Sequence, residues 1–222
     1  MGSENRFKRR KAKTTHSFKR KAPKRASYDK VLIVCEGSKT EPLYFTDLIN
    51  NLKLSTANIE VDGSCGSSPS SVLEHALRLW EAEKSTENPY DRVYCVFDKD
   101  SHPSYKTTLD KIASPKFKGK FYAAQSVPSF EYWLLLHFTY TTKPYTRSGK
   151  FSSGDLVLKD LKNNFPQYAK CNKDVFTALK SRLESAKANA AKSLENAVRD
   201  GTDNPTTHVH KLVDYLQHLN DQ

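Results

Sequence analysis

At 222 residues the chain can bury one sizeable core, and its 11% aromatic content and spaced apolar runs exclude a disordered or fibrous protein. No stretch has the apolar length of a membrane span, and the four cysteines show no CxxC spacing, which points to a cytoplasmic protein with reduced thiols. The net charge of +11 suggests a nucleic-acid partner, and its distribution is uneven: the first 30 residues carry +10 of it.

That segment holds 12 of the 36 Lys and Arg against Glu4 and Asp29 alone. It has too few apolar residues to offset the entropy of ordering, so residues 1–29 are expected to be a disordered basic tail. Nor does it contain the apolar stretch of a secretory signal peptide. Arg9, Arg10, Lys11, Lys19, Arg20, Lys21, Lys24 and Arg25 are its candidate phosphate contacts, acting by counterion release. The competing reading is a solubilising leader with no binding role.

From Val31 the chain runs Val-Leu-Ile-Val-Cys into Glu36 and Gly37. A short β-branched run of this kind predicts a strand buried on both faces of a parallel sheet, with Glu36 at its carboxyl end. A helix follows, for which Thr40 is the expected cap, Pro42 a first-turn residue, and Leu43, Phe45, Leu48, Ile49 and Leu52 the apolar stripe. Residues 58–61 read as a short strand. The Gly/Ser-rich stretch from Gly63 to Ser71 reads as a loop capping a helix with Val72, Leu73, Ala76, Leu77 and Trp80 on one face. Val93 to Phe97 repeats the buried-strand pattern and runs into Asp98-Lys99-Asp100. A helix over 104–113 and a strand over 120–124 come next.

Ser129 to Phe138 is apolar nearly all round, which predicts a deeply buried helix capped by Ser129 with Glu131 in its first turn. An acid in such surroundings is costly unless paired, hydrogen-bonded or bound to a cation, and an ordinary ion pair with a Lys or Arg is the bland alternative. Three further helices are expected: one around Leu156 to Leu161, one long one from Val175 to Ala197, and one from Thr207 to Leu219. The fold class is therefore α/β, a mainly parallel sheet flanked by helices over 30–140 and a helical C-terminal segment over 141–222 packed on it.

Glu36, Glu41, Asp98, Asp100 and Glu131 would surround one crevice if the strands that carry them are neighbours. Carboxylates so placed repel, and a divalent cation is the usual means of keeping them ionised. Glu36, Asp98, Asp100 and Glu131 are the candidate ligands, and an all-oxygen set suits Mg2+ or Mn2+. A metal beside a basic arm suggests displacement at a phosphodiester. Lys99 either neutralises charge developing on the phosphoryl group or faces solvent. Each acid alone has a bland reading, a solvated turn for Asp98 and Asp100 and a structural acid for Glu36. His137 reads as a core histidine, and His208 and His210 do not share a helix face. Ser38-Lys39-Thr40 lacks the second glycine of a nucleotide-binding phosphate loop.

Several blocks together resemble one family: Val34-Cys35-Glu36-Gly37, Thr40-Glu41-Pro42-Leu43-Tyr44-Phe45, Tyr90-Asp91 with Val96-Phe97-Asp98-Lys99-Asp100, Pro128-Ser129-Phe130-Glu131-Tyr132-Trp133-Leu134-Leu135-Leu136-His137-Phe138, and Asn204-Pro205-Thr206-Thr207 with Val209-His210-Lys211-Leu212-Val213. In order and spacing they look like the signature of the RloB family. The resemblance implies a fold related to the Toprim domain, with Glu36 as its strand-end glutamate, Asp98 and Asp100 as its Mg2+-binding pair, and Glu41 and Glu131 as further family acids. It also implies a role in phage defence and abortive infection beside an AAA-type ATPase. Val127 departs from the pattern, where an Asn is common. The expectation is a Mg2+-dependent nuclease in which Glu41 orients or deprotonates the attacking water. The alternative is a non-catalytic nucleic-acid-binding or sensor subunit. Whether the chain forms a homo-oligomer is left open.

Overall fold

The computed structural model describes residues 28–99 and 102–221. Asp100 and the eight basic residues singled out between Arg9 and Arg25 lie outside them. Four parallel strands, β1 (Val31–Cys35), β2 (Ile59–Asp62), β3 (Arg92–Val96) and β4 (Phe121–Ala123), form a sheet in the order β2-β1-β3-β4. All five residues of β1 are buried, as expected for a central strand covered on both faces.

The pleat sorts those residues between two cores. Leu32 and Val34, with Val93, Cys95 and Phe121, pack against α2 (Pro69–Glu83) and α3 (Tyr105–Ile112). Val31, Ile33, Cys35, Tyr94 and Val96 face the larger core, built from α1 (Thr40–Asn51) and the C-terminal half of the chain. The sheet is thus sandwiched between helices, the α/β fold expected from the alternation of runs. The strand order reverses between β1 and β3. At such a switch point the connections diverge to opposite faces and leave a crevice beyond the carboxyl ends.

The Gly/Ser loop does cap α2: Ser68 accepts from the Ser71 N–H, with Pro69 at the first helical position. Thr40 does not cap α1. It is the first helical residue, and its hydroxyl donates to the Lys170 carbonyl at 3.3 Å. The apolar stretch after Ser129 forms only a short helix, α4 (Glu131–Leu135), with turns on either side. Just before it, β5 (Ser126–Val127) pairs antiparallel with β6 (Thr206–Thr207). The expected burial holds, with Tyr132, Trp133 and Leu134 fully enclosed.

Beyond α5 (Ser153–Asn164), the expected long helix is broken into α6 (Val175–Leu179), a 3-10 turn (Lys180–Arg182) and α7 (Leu183–Asp200). Each piece has a different partner. Asp47 of α1 holds the Thr177 N–H and hydroxyl, both at 2.8 Å, whereas α7 packs on α4 and on α8 (Val209–Gln217). Gly201, at φ 66°, ends α7 in the left-handed conformation that glycine adopts without a Cβ clash. All four cysteines are free. Among the described residues no helix is long and apolar enough to cross a membrane.

Candidate functional site

The switch point brings together the acids that the sequence places at strand ends. Glu36 directly follows β1, and its N–H continues the ladder to the Val96 carbonyl at 2.9 Å. Asp98 follows β3, bridges to Ser126, and donates its own N–H to Glu36 Oε2 at 3.1 Å. Glu41 sits in the first turn of α1 and Glu131 opens α4, with only 8% and 4% of their surfaces exposed. Ser129, which was expected to cap that helix, instead donates its hydroxyl to Glu131 Oε2 at 2.7 Å.

Two clefts open on these groups, and both are lined by Glu36, Asp98, Glu131 and Lys170. One, about 170 Å³, lies toward Ser152 and Asp155 at the start of α5. The other, about 290 Å³, lies toward Ser38, Lys39, Glu41 and Ser67. Lys170, in the loop between α5 and α6, places Nζ 3.2 Å from Glu131 Oε1. His102 Nε2 stands 3.9 Å from Glu36 Oε1. The hydroxyl of Tyr168 is buried beside Glu131 and Thr40 without a well-formed hydrogen bond to either.

Electrostatics follow from this crowding. Burial pushes the Glu41 carboxyl up to about 8, and Glu131 and Glu36 add to the rise. Asp98 is held well above the ordinary carboxylate range, by loss of solvation first and then by Glu41, Glu131 and Glu36. The field of Glu131 in turn raises the Lys170 ammonium.

An all-carboxylate donor set of this kind fits a hard divalent cation such as Mg2+ or Mn2+. The side chains do not, however, form a finished shell. Among the described residues no group of three or more His, Cys, Asp or Glu is placed to hold one ion. Glu36, Glu41, Asp98 and Glu131 are brought to one edge, and Asp100 lies outside the described residues. Lys99 is turned elsewhere: its ammonium is held by Asp203 at 2.6 Å and lines neither cleft. His137 is the core histidine that its surroundings suggest, bonded to the Trp133 carbonyl at 3.0 Å and lowered by burial to about 4. The sequence reading missed Lys170, His102 and Tyr168. No periodicity or motif marks the two loop residues, and Tyr168 precedes Lys170 in the same loop.

A parallel α/β sheet with acids gathered at its switch point defines a broad class. Within it, the chain matches the family described as RloB-like protein over residues 31–216, and it belongs to that family. Neither curated proteins nor solved structures gave a match.

Proposed function

We propose that the chain is a metal-dependent nuclease with a Toprim-like centre, hydrolysing nucleic-acid phosphodiesters in antiviral defence beside an AAA-type ATPase. The observation that carries the reading is the gathering of Glu36, Glu41, Asp98 and Glu131 at the switch point, where burial and mutual repulsion raise Glu41 and Asp98. A fold selected only for stability would not collect acids there. Glu36, Asp98 and Glu131, with Asp100, would hold Mg2+ or Mn2+. When bound, such an ion would polarise a phosphoryl oxygen and lower the pKa of a water. Glu41, whose carboxyl burial pushes up to about 8, would in its ionised form take the proton of the attacking water as the water oxygen bonds to phosphorus, while the phosphorus–ester bond breaks with its electron pair on the leaving oxygen, which takes a proton from solvent.

The basic tail supplies a sequence-independent grip on phosphates, each contact steepening the salt dependence of log affinity by about 0.9. Deleting residues 1–25 should therefore flatten that slope and leave the response of the acids to metal unchanged.

The test is to incubate labelled RNA and DNA pools with the protein, with and without the ATPase, in Mg2+ or EDTA. Cleavage in Mg2+ that EDTA abolishes, and that Asp98→Ala abolishes with the melting curve still cooperative, is the expected result. No cleavage of either pool under any of these conditions overturns the nuclease reading in favour of a binding or sensor subunit.

A further inference from the structure

Lys39 and Lys170 both line the wider cleft, but it is Lys170 that bonds an acid. Its backbone is anchored by the Thr40 hydroxyl, which ties the loop to the helix that carries Glu41. From that anchor the side chain reaches in to Glu131. The two ends of the pair differ sharply: the Glu131 side chain is 6% exposed and the Lys170 side chain 60%. A fixed, buried carboxylate is thus neutralised by an ammonium that arrives from solvent on a flexible stem.

Glu131 itself has little freedom. Ser129 holds Oε2, and α4 is enclosed on all sides. The oxygen that Ser129 leaves is Oε1, the one that Lys170 occupies. An ion drawing on Glu131 together with Glu36 and Asp98 would stand beside this ammonium, since the same four residues line both clefts. Two cations that close repel strongly at the low effective dielectric of such a site.

We infer that Lys170 is a stand-in cation: it takes the place of the divalent ion on Glu131, so the Lys170–Glu131 pair and the bound ion exclude one another. The inference rests on the metal reading of the proposed function. When the ammonium withdraws, the buried Tyr168 hydroxyl remains beside Glu131, and the Lys170 side chain, already 60% exposed, turns to solvent. The buried Glu131 carboxylate thereby keeps a counter-charge until metal arrives.

Titrating the full chain with Mg2+ and with Mn2+, by calorimetry and by thermal shift, tests this. Lys170→Met, which removes the charge and keeps much of the apolar stem, should melt lower in EDTA and bind the ion about tenfold more tightly. Lys170→Arg should keep the wild-type affinity. In a Glu131→Gln background Lys170→Met should no longer change it. A metal response in Lys170→Met alone, with none in wild type, supports the exclusion still more strongly. A wild-type response that Lys170→Met leaves unchanged or weakens overturns the inference and spares the metal reading. No response in either chain overturns the metal reading and the inference with it. If Lys170→Met does not fold, a wild-type affinity retained in Lys170→Gln is the overturning result.

Discussion

The two ends of the central sheet treat charge in opposite ways. At the amino end opposite charges are matched. Lys30 Nζ meets Glu83 at 2.8 Å and the Asn88 carbonyl at 2.9 Å, Arg92 meets Asp29 at 3.1 Å, and Tyr215 donates to the same Asp29 at 2.8 Å. At the carboxyl end Glu36, Glu41, Asp98 and Glu131 crowd together with Lys170 and, at 3.9 Å, His102. Both ends are made by the same strands, so the sheet does not force the difference. Pairing at one end serves the fold, whereas crowding at the other costs stability and marks the end where chemistry is expected.

Glu41→Gln should separate the two ends most widely. As the proposed base, its loss should slow hydrolysis by about 10²- to 10⁴-fold. Its effect on stability should have the opposite sign. Burial pushes the folded carboxyl up to about 8, against about 4.5 for a glutamate in water, so between those values the native state binds more protons than the unfolded chain. Metal-free stability must then fall as pH rises through that window and level off above it. Glu41→Gln should remove its own share of this fall, the raised Asp98 carboxyl keeping a share of the same sign, and leave the variant more stable than wild type at pH 9 and little changed at pH 4. Denaturant melts of both chains in EDTA across that range are the measurement, because His137, His208 and His210, lowered by burial, tilt both profiles the other way, and a difference between the chains that does not change from pH 5 to 8 would sink the idea.

Metal addition is the next largest effect expected. An ion that binds only the folded chain stabilises it by about 2.7 kcal/mol at a hundredfold excess over Kd. Mg2+ or Mn2+ should therefore raise Tm and reduce the loss of stability at high pH. Asp98→Asn with Asp100→Asn should abolish the rise, and should melt higher than wild type in EDTA at high pH, because Asp98 there ionises against burial and against Glu41, Glu131 and Glu36. A Tm that ignores saturating metal in wild type and in Lys170→Met alike would mean that the crowding has another purpose.

How much of this contrast could be read beforehand depends on the range of each interaction. Val31–Cys35 and Arg92–Val96 announce themselves because buried parallel strands need unbroken apolar runs, and Glu36 and Asp98 follow from being next in the chain. Ser68 and Pro69 mark the start of α2 by local chemistry alone. Lys170 was illegible. It reaches the site through a loop whose backbone is anchored by Thr40, 130 residues away, and no local pattern encodes that. The pairing of Ser126–Val127 with Thr206–Thr207 is likewise two residues long and non-local. The break at Lys180–Arg182 is hidden because an Ala/Lys/Glu-rich segment favours helix throughout, and packing of α6 on α1 and of α7 on α4 and α8 decides otherwise.

The smallest effect belongs to the amino end, where pairing should carry little free energy. Lys30 is well covered and also lies over the Tyr90 ring at 4.3 Å, but Glu83 is open to solvent, so the ion pair is screened. Glu83→Gln should cost only about 0.2–1 kcal/mol. The pH signature should run opposite to that of Glu41. Lys30, as hydrogen-bond donor, holds the Glu83 carboxyl below its ordinary value, so the contribution of the pair is present above about pH 4.5 and is lost as pH falls through the lowered folded value. Substitution should therefore trim stability at pH 7, and the deficit should shrink as pH falls below about 4.5. The metal-induced rise in Tm should be the same in Glu83→Gln as in wild type, because the pair stands at the far end of the strands from Glu36 and Asp98. If Glu83→Gln weakens the metal response instead, the two ends are coupled through the sheet and the division of labour between them fails.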